Sequence, residues 1–304
     1  MKSWIIYKKS ANEVKPESYE INRFKEAAAV ESIDLRILKP EQFDLIVTRD
    51  DRKSVIVDGK SMELPDFILP RMGAGTTYFA LAVIRHLEKL GVYSVNNAKA
   101  IDDVKDKLYT HQILAQNGLP VPKTMLAKYP VDSGLVEQQI GFPLIVKTLS
   151  GSQGSGIYLI EKKAQFVDLM DFIHASKGDA TNIILQEFVK KSKGRDLRVF
   201  VIGGRAVACM ERIAKQGDYK ANFSRGGEIR NFKITRDIQW LATETSRILD
   251  LDVAGIDLLF DGRHFKICEA NSSPGFEGIE KCCEIDVPKE IFKFIRVRFN
   301  LFEE

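Results

Sequence analysis

The chain has 304 residues, 44% hydrophobic and 29% charged, which is long enough for two or three domains and too apolar for wholesale disorder. Lysine and arginine number 45 against 42 acidic residues, a formal +3, too near balance for a nucleic-acid coat or a polybasic membrane binder. An anionic partner must therefore be caught locally, by a site. No apolar run reaches the ~18 residues a spanning helix needs. The short core Trp4–Tyr7, closed by Lys8 and Lys9, is too brief for a signal peptide. Cys209, Cys268, Cys282 and Cys283 make no CxxC pair, and His86, His111, His174 and His264 form no ligand-like cluster. The expectation is free thiols, no structural zinc, and a cytoplasmic protein.

In chain order, Ser3–Lys8 reads as a strand and Pro16 to Glu31 as a helix, followed by strands at Ile33–Leu38 and Asp44–Thr48. Val55–Val57 with Asp58-Gly59 reads as a hairpin with a primed turn, and Phe67–Arg71 as another strand. A helix follows from about Thr76, with Phe79, Val83, Leu87 and Leu90 on one stripe and Gly91 as its stop. Such alternation predicts a small α/β domain with a partly parallel sheet. A charged helix is expected within Asn96–Gly118. Strands at Pro143–Leu149 and Ile157–Glu161 flank a glycine loop, and Phe166, Leu169, Met170 and Ile173 mark a helix. None of the ten prolines falls between 144 and 273, a reach that can hold uninterrupted ladders. Strands are expected at Asn182–Phe188, Leu197–Ile202 and Ala206–Arg212, the last two joined through Gly203-Gly204. A helix at 235–250, a hairpin of Val253–Phe260 with Phe265–Asn271, and a helix from about Val287 complete the chain.

Four groups of residues could carry chemistry. Lys147 ends a strand, and Ser150 to Gly156 (including Gly151 and Gly154) follows; glycine N–H groups, hydroxyls and a lysine suit phosphate oxygens. The loop is not a Walker-type P-loop, since no Gly-Lys-Ser/Thr closes it. Asp257, Glu269 and Asn271 form the second group. Glu269 and Asn271 share a strand face. Direct opposition to Asp257 requires a connection with an odd residue count centred on Arg263, whereas a two-residue turn puts Cys268 opposite Asp257. Two carboxylates and an amide among apolar neighbours are costly to bury unpaired, and magnesium would satisfy them while leaving positions for phosphates. Lys107, Arg195, Asp196, Arg198, Arg212, Lys215, Lys220, Asn222 and Arg225 form a third, largely cationic set, part of it on the glycine-bounded segment 213–227. In Gln186-Glu187-Phe188-Val189, a strand leaving its sheet offers peptide groups beside apolar side chains, as a purine requires.

Taken in order, Lys107, Lys147, the 150–156 loop, Gln186–Val189, Asp196-Leu197-Arg198, Lys220-Ala221-Asn222, Asp257 and Glu269-Ala270-Asn271 resemble the ATP-grasp superfamily. The resemblance is closest to RimK-type glutamate ligases. Pro70-Arg71-Met72-Gly73, Glu211-Arg212, Arg225-Gly226-Gly227, Val253 to Asp257, and Glu269 to Glu280 all read like that branch. It implies a small α/β pre-ATP-grasp domain (1–97), then a two-lobed α+β ATP-grasp fold with a central lobe (98–185) and a C-terminal lobe (186–304). Lys107 and Lys147 would hold ATP phosphates beneath the loop that carries Ser150 and Gly154. Glu187, Phe188 and Val189 would cradle adenine between two lobes, Asp196 would sit near the ribose, Gln186 and Arg198 would belong to the nucleotide-binding set, and Lys220, Ala221 and Asn222 would reach phosphate or metal. Asp257, Glu269 and Asn271 would ligate Mg2+ or Mn2+, two ions in all.

The activity so implied is ATP-dependent joining of a carboxylate to an amine, through an acyl phosphate, with release of ADP and phosphate. Positioning and charge neutralisation dominate such chemistry. Arg212 is the candidate for stabilising acyl-phosphate oxygens, and Arg225 for binding a substrate carboxylate. The implied substrates are L-glutamate and the C-terminal carboxylate of a peptide or protein, a ribosomal protein tail among them, in a self-associating enzyme. Alternatives are a pterin, deazaflavin or amino-acid-carrier acceptor, a non-catalytic nucleotide sensor, and a phosphotransferase. No membrane or nucleic-acid partner is expected.

Overall fold

The computed structural model describes residues 1–15, 18–47, 55–127, 129–148, 157–177, 182–215 and 227–301. The N-terminal part comprises β1 (Lys2–Ile6), α1 (Tyr19–Val30), β2 (Asp34–Leu38), β3 (Phe43–Leu45), β4 (Val55–Val57), β5 (Lys60–Ser61), β6 (Phe67–Pro70), α2 (Tyr78–Lys89) and β7 (Tyr93–Ser94). Strands β2-β1-β6-β7 form a parallel sheet, and β3-β4-β5 a small antiparallel one. The β4–β5 turn is of the expected kind: Asp58 and Gly59 both have positive φ, 49° and 73°, which matches the twist of the paired strands. Helix α2 is rotated from the expected stripe. Its core face is Ala80, Leu81, Val83, Ile84 and Leu87, while Phe79 is 43% exposed.

The segment expected to be one charged helix is two, α3 (Ala98–Lys105) and α4 (Lys107–Gln116). Asp106 leaves helical geometry at ψ 104°, and its carboxylate accepts the Leu108 and Tyr109 N–H groups. An Asp can cap a new helix start more favourably than it can continue the old one. The break places Lys107 in the first turn of α4. The central lobe follows, with β8 (Thr124–Ala127), α5 (Ser133–Gln139), β9 (Leu144–Thr148), β10 (Ile157–Ile160), α6 (Lys163–Lys177) and β11 (Ile183–Glu187), in sheet order β10-β9-β11-β8. Strand β8 and helix α5 are short and were not legible in the pattern. Leu144, Val146, Ile183 and Leu185 pack under α6 residues Phe166, Met170 and Ile173. Alternation sends Lys147 and Gln186 to the opposite face.

The remaining sheet is antiparallel, β14-β13-β12-β15-β16, built from β12 (Arg195–Ile202), β13 (Arg205–Ile213), β14 (Glu228–Asn231), β15 (Val253–Asp261) and β16 (His264–Asn271). Helix α7 (Arg236–Ile248) covers one face through Ile238, Leu241 and Ala242, against Leu197, Val199, Ile256, Leu258 and Ile267. The other face is divided along its length. Phe200, Ile202, Ala208, Met210 and Val253 join one core with Ile5, Phe24 and Phe67 of the N-terminal part, with Phe276 just before α8 (Glu277–Cys283), and with Phe292 of α9 (Val287–Arg298). Farther along, the same face carries charge: Asp196, Arg198, Arg212, Asp257 and Glu269. The N-terminal part is thus anchored on the sheet that presents the polar residues. All four cysteines are free, and no helix among the described residues is long and apolar enough to cross a membrane.

Candidate active site

The hairpin β15–β16 resolves the two alternatives left by the sequence, and in an unexpected way. Its turn has two residues, Gly262 and Arg263, between the paired Asp261 and His264, yet Asp257 lies directly opposite Glu269. A β-bulge makes both true: Leu258 pairs with Ile267 and Asp257 with Glu269, so Cys268 is the extra residue. A bulge leaves its residue outside the regular ladder. Here the Cys268 carbonyl accepts from Nε2 of His111 at 3.0 Å. Asn271 is opposite Gly255 and donates to its carbonyl at 3.2 Å, which turns the amide oxygen away from the strand.

Asp257 is buried and held by two guanidiniums. Arg198 donates from Nε and Nη2 to its two oxygens at 2.7 Å each, and Arg212 Nη2 approaches Oδ2 at 3.0 Å. Arg212 also grips Asp196 through Nε and Nη2 at 2.7 and 2.8 Å. Cross-strand registration explains the cluster, because Asp196 opposes Arg212 and Arg198 opposes Asp257. Burial alone would raise both carboxyl groups. At Asp257 the two arginines outweigh that and hold it below the usual carboxylate range. At Asp196 burial wins over Arg212, with the nearby Asp257 charge adding to the rise.

Lysines face this cluster from the other elements. Lys107 Nζ lies 3.4 Å from Glu269 Oε1. Lys147 donates to Gln186 Oε1 at 2.7 Å, and Gln186 Nε2 reaches Thr124 Oγ1 at 3.0 Å and His111 Nδ1 at 3.4 Å. Because the Cys268 carbonyl can only accept, His111 carries its proton on Nε2 and its Nδ1 is the acceptor. Burial, with Lys147 and Lys107 nearby, lowers the His111 pKa despite the carbonyl contact, so the ring is neutral. A buried chain Lys147–Gln186–His111–Cys268 thus ties a lysine on the central sheet to the bulge beside Glu269. His111 and Thr124 were missed in the sequence, since neither lies in a local motif and their partners are distant along the chain.

At the end of β11, Glu187 accepts from Lys266 Nζ at 2.8 and 2.9 Å, joining the central lobe to β16. Its own N–H is taken by the Lys123 carbonyl. Phe188 is half-buried and Val189 buried, and among the described residues their N–H groups have no backbone acceptor. Ser150, Gly154, Lys220, Ala221, Asn222 and Arg225 lie outside the described residues. The structure therefore brings together Lys107, Lys147, Gln186, Asp196, Arg198, Arg212, Asp257, Glu269 and Asn271.

Among the described residues no three His, Cys, Asp or Glu side chains are grouped to share a metal ion; the candidate donor set is two carboxylates and an amide. Those oxygens nonetheless fit a hard cation. Asp257 Oδ2 receives two guanidinium donors and Oδ1 one, which leaves Oδ1 an acceptor direction. Glu269 is half exposed beside Lys107.

A parallel-sheet domain mounted on two α+β lobes, with Lys107 of α4 and Lys147 of the central sheet near the carboxylates of the C-terminal sheet, defines an ATP-dependent ligase of the ATP-grasp fold. Residues 13–101 match the RimK PreATP-grasp domain and residues 104–295 the RimK-like ATP-grasp domain, and the chain belongs to that family. It is 38% identical over 281 residues to a "Probable alpha-L-glutamate ligase" of Thioalkalivibrio sulfidiphilus, with 91% of each chain covered. Among solved structures it is similar in fold to the ATP-grasp ligase PsnB complexed with minimal precursor, Mg and ADP, with TM-score 0.71, 17% identity, and 97% of each chain covered. It is likewise similar to a RimK domain ATP-grasp protein of Sphaerobacter thermophilus, with TM-score 0.70, 17% identity, and 97% and 99% covered.

Proposed function

We propose that this ligase joins L-glutamate to the C-terminal carboxylate of a peptide or protein, using ATP and magnesium. The observation that carries the reading is Lys107 against Glu269 at 3.4 Å, with Lys147 tied through Gln186 and His111 to the bulge of the strand pair that carries Asp257, Glu269 and Asn271, in a chain whose curated relative is named for glutamate ligation. Lys107 and Lys147 neutralise ATP phosphates, and the Phe188 and Val189 N–H groups, without a backbone acceptor among the described residues, offer hydrogen bonds to the adenine edge. Glu269, Asn271 and Oδ1 of Asp257 would hold Mg2+, which lowers the charge of the phosphates when bound.

An acceptor carboxylate oxygen attacks the γ-phosphorus, the bond to the β-phosphate oxygen breaks, and ADP leaves. The glutamate amine then attacks the acyl carbon, phosphate leaves, and the nitrogen loses a proton to give an amide. The protein contributes cationic positioning and no covalent nucleophile. Arg212, committed to Asp196 and Asp257, acts by keeping the carboxylate cluster in register beneath the reacting groups.

The test is incubation with ATP, magnesium and glutamate, with and without peptides ending in a free carboxylate, followed by intact-mass analysis and ADP measurement. Mass increments of one glutamyl residue, with matching ADP, are expected. ADP formed without a new amide, or a phosphorylated product, would contradict the reading.

A further inference from the structure

The motif Pro70-Arg71-Met72-Gly73 has no part in the scheme above, yet its arginine is bonded to the segment that follows Asn271. Arg71 follows the end of β6, at the carboxyl edge of the parallel sheet, where ligands of such sheets collect. Its N–H continues the ladder to the Ile6 carbonyl at 2.8 Å, and its Nη2 donates to the Pro274 carbonyl at 2.7 Å. Pro274 is three residues beyond Asn271 and packs on Gly255, where an added Cβ would lie 2.6 Å from the Pro274 Cβ and 3.7 Å from Arg198 Nε. The guanidinium is thereby tied to the segment that runs on from Asn271 and packs on Gly255 of β15.

Aromatic rings flank it, and among the described residues its charge is unpaired. The Phe24 and Phe276 rings lie 5.8 and 5.7 Å from its central carbon, within cation–π range. Among the described residues no carboxylate lies within ion-pair distance. Glu20, whose charge acts on Arg71, instead accepts the Phe276 N–H at 3.2 Å. Burial pushes the arginine down to about 10, with Glu20 and Tyr7 only partly opposing it. A half-buried guanidinium flanked by aromatic rings and without a carboxylate is a receptor for one.

Resting on the glutamate-ligase reading, we propose that Arg71 binds the side-chain carboxylate of the incoming amino acid and sets the preference for glutamate over glutamine. Gln at this position retains a donor for Pro274 and loses the charge, so Arg71→Gln is the main variant, with Arg71→Lys as a second that keeps charge without the fork. Steady-state ADP release is measured with glutamate and with glutamine as amine. A hydrogen-bonded charge pair contributes about 1.5–3 kcal/mol, so KM for glutamate should rise roughly 10- to 100-fold in Arg71→Gln. KM for glutamine and for ATP should stay unchanged, and Arg71→Lys should recover part of the loss. An unchanged glutamate KM in either folded variant, or an equal loss toward both amino acids, overturns the proposal. Wild-type enzyme that forms no ADP with glutamate would instead refute the parent reading, so the two failures are distinguishable.

Discussion

Replacing Arg212 with methionine removes one of the two cations that balance Asp196 and Asp257, with little change in volume. Asp257 keeps the paired bonds from Arg198 at 2.7 Å, whereas Asp196 loses both of its bonds, at 2.7 and 2.8 Å. The Arg212 side chain is 10% exposed and that of Asp196 16%, so water compensates little. Removing one partner of a buried pair costs about 3–5 kcal/mol, and that loss is expected at pH 8. Asp196 can escape part of the cost by taking a proton, since burial already raises it. A carboxyl group whose folded pKa lies above its unfolded value favours folding at low pH and loses that contribution as pH rises. The destabilisation should therefore shrink as pH falls. The assay is urea unfolding followed by circular dichroism at several pH values. Adding Asp196→Asn should recover about 0.5–3 kcal/mol, the range for coupled neighbours. A loss below about 1 kcal/mol, the scale of a surface pair, or no recovery in the double variant, would refute the reasoning.

Gly255→Ala should force Pro274 from its seat, because the new Cβ would lie 2.6 Å from the Pro274 Cβ. Overpacking of this kind costs about 1–3 kcal/mol, and ATP turnover should fall with it; an unaltered melting temperature and rate would contradict the packing argument. His111 stays neutral in the fold because of burial and nearby lysines, whereas the unfolded chain binds a proton near the ordinary histidine value of about 6.5. Stability should thus fall as pH drops below that point, by at most about 1.4 kcal/mol per pH unit for one proton. His111→Gln should make this limb shallower, read from unfolding midpoints between pH 7 and 5; equal slopes would exclude the histidine. Gln186→Leu should weaken nucleotide binding by releasing Lys147, with the fold retained by circular dichroism; unchanged affinity would show that the lysine needs no such support.

Local pattern was a good guide where local physics decides. Asp58-Gly59 and Gly203-Gly204 announced their turns, and the β15–β16 hairpin was legible from its apolar run and its glycine. The Cys268 bulge was not, because a two-residue turn argues against opposing Asp257 and Glu269; the extra residue reconciles them, and its carbonyl is met by the distant His111. Asp106 looked like one more charge on a helix until its capping of Leu108 and Tyr109 broke that helix. The core shared by Ile5, Phe24, Phe200 and Phe292 depends on packing between distant segments, which periodicity cannot register. In the site, residue types and order were legible, while the arginine pairing of Asp257 and Asp196 was not. It arises from cross-strand register rather than from spacing along the chain.

The central claim is that Lys107 and Lys147, with the oxygen ligands Asp257, Glu269 and Asn271, receive a magnesium nucleotide between them. Calorimetric titration with a non-hydrolysable ATP analogue, with and without magnesium, on wild type and on Glu269→Gln, tests it most directly. The account predicts saturable binding that strengthens with magnesium in the wild type and loses that magnesium dependence in the variant. Binding that is absent, or that is equally strong without the metal and in Glu269→Gln, would contradict it.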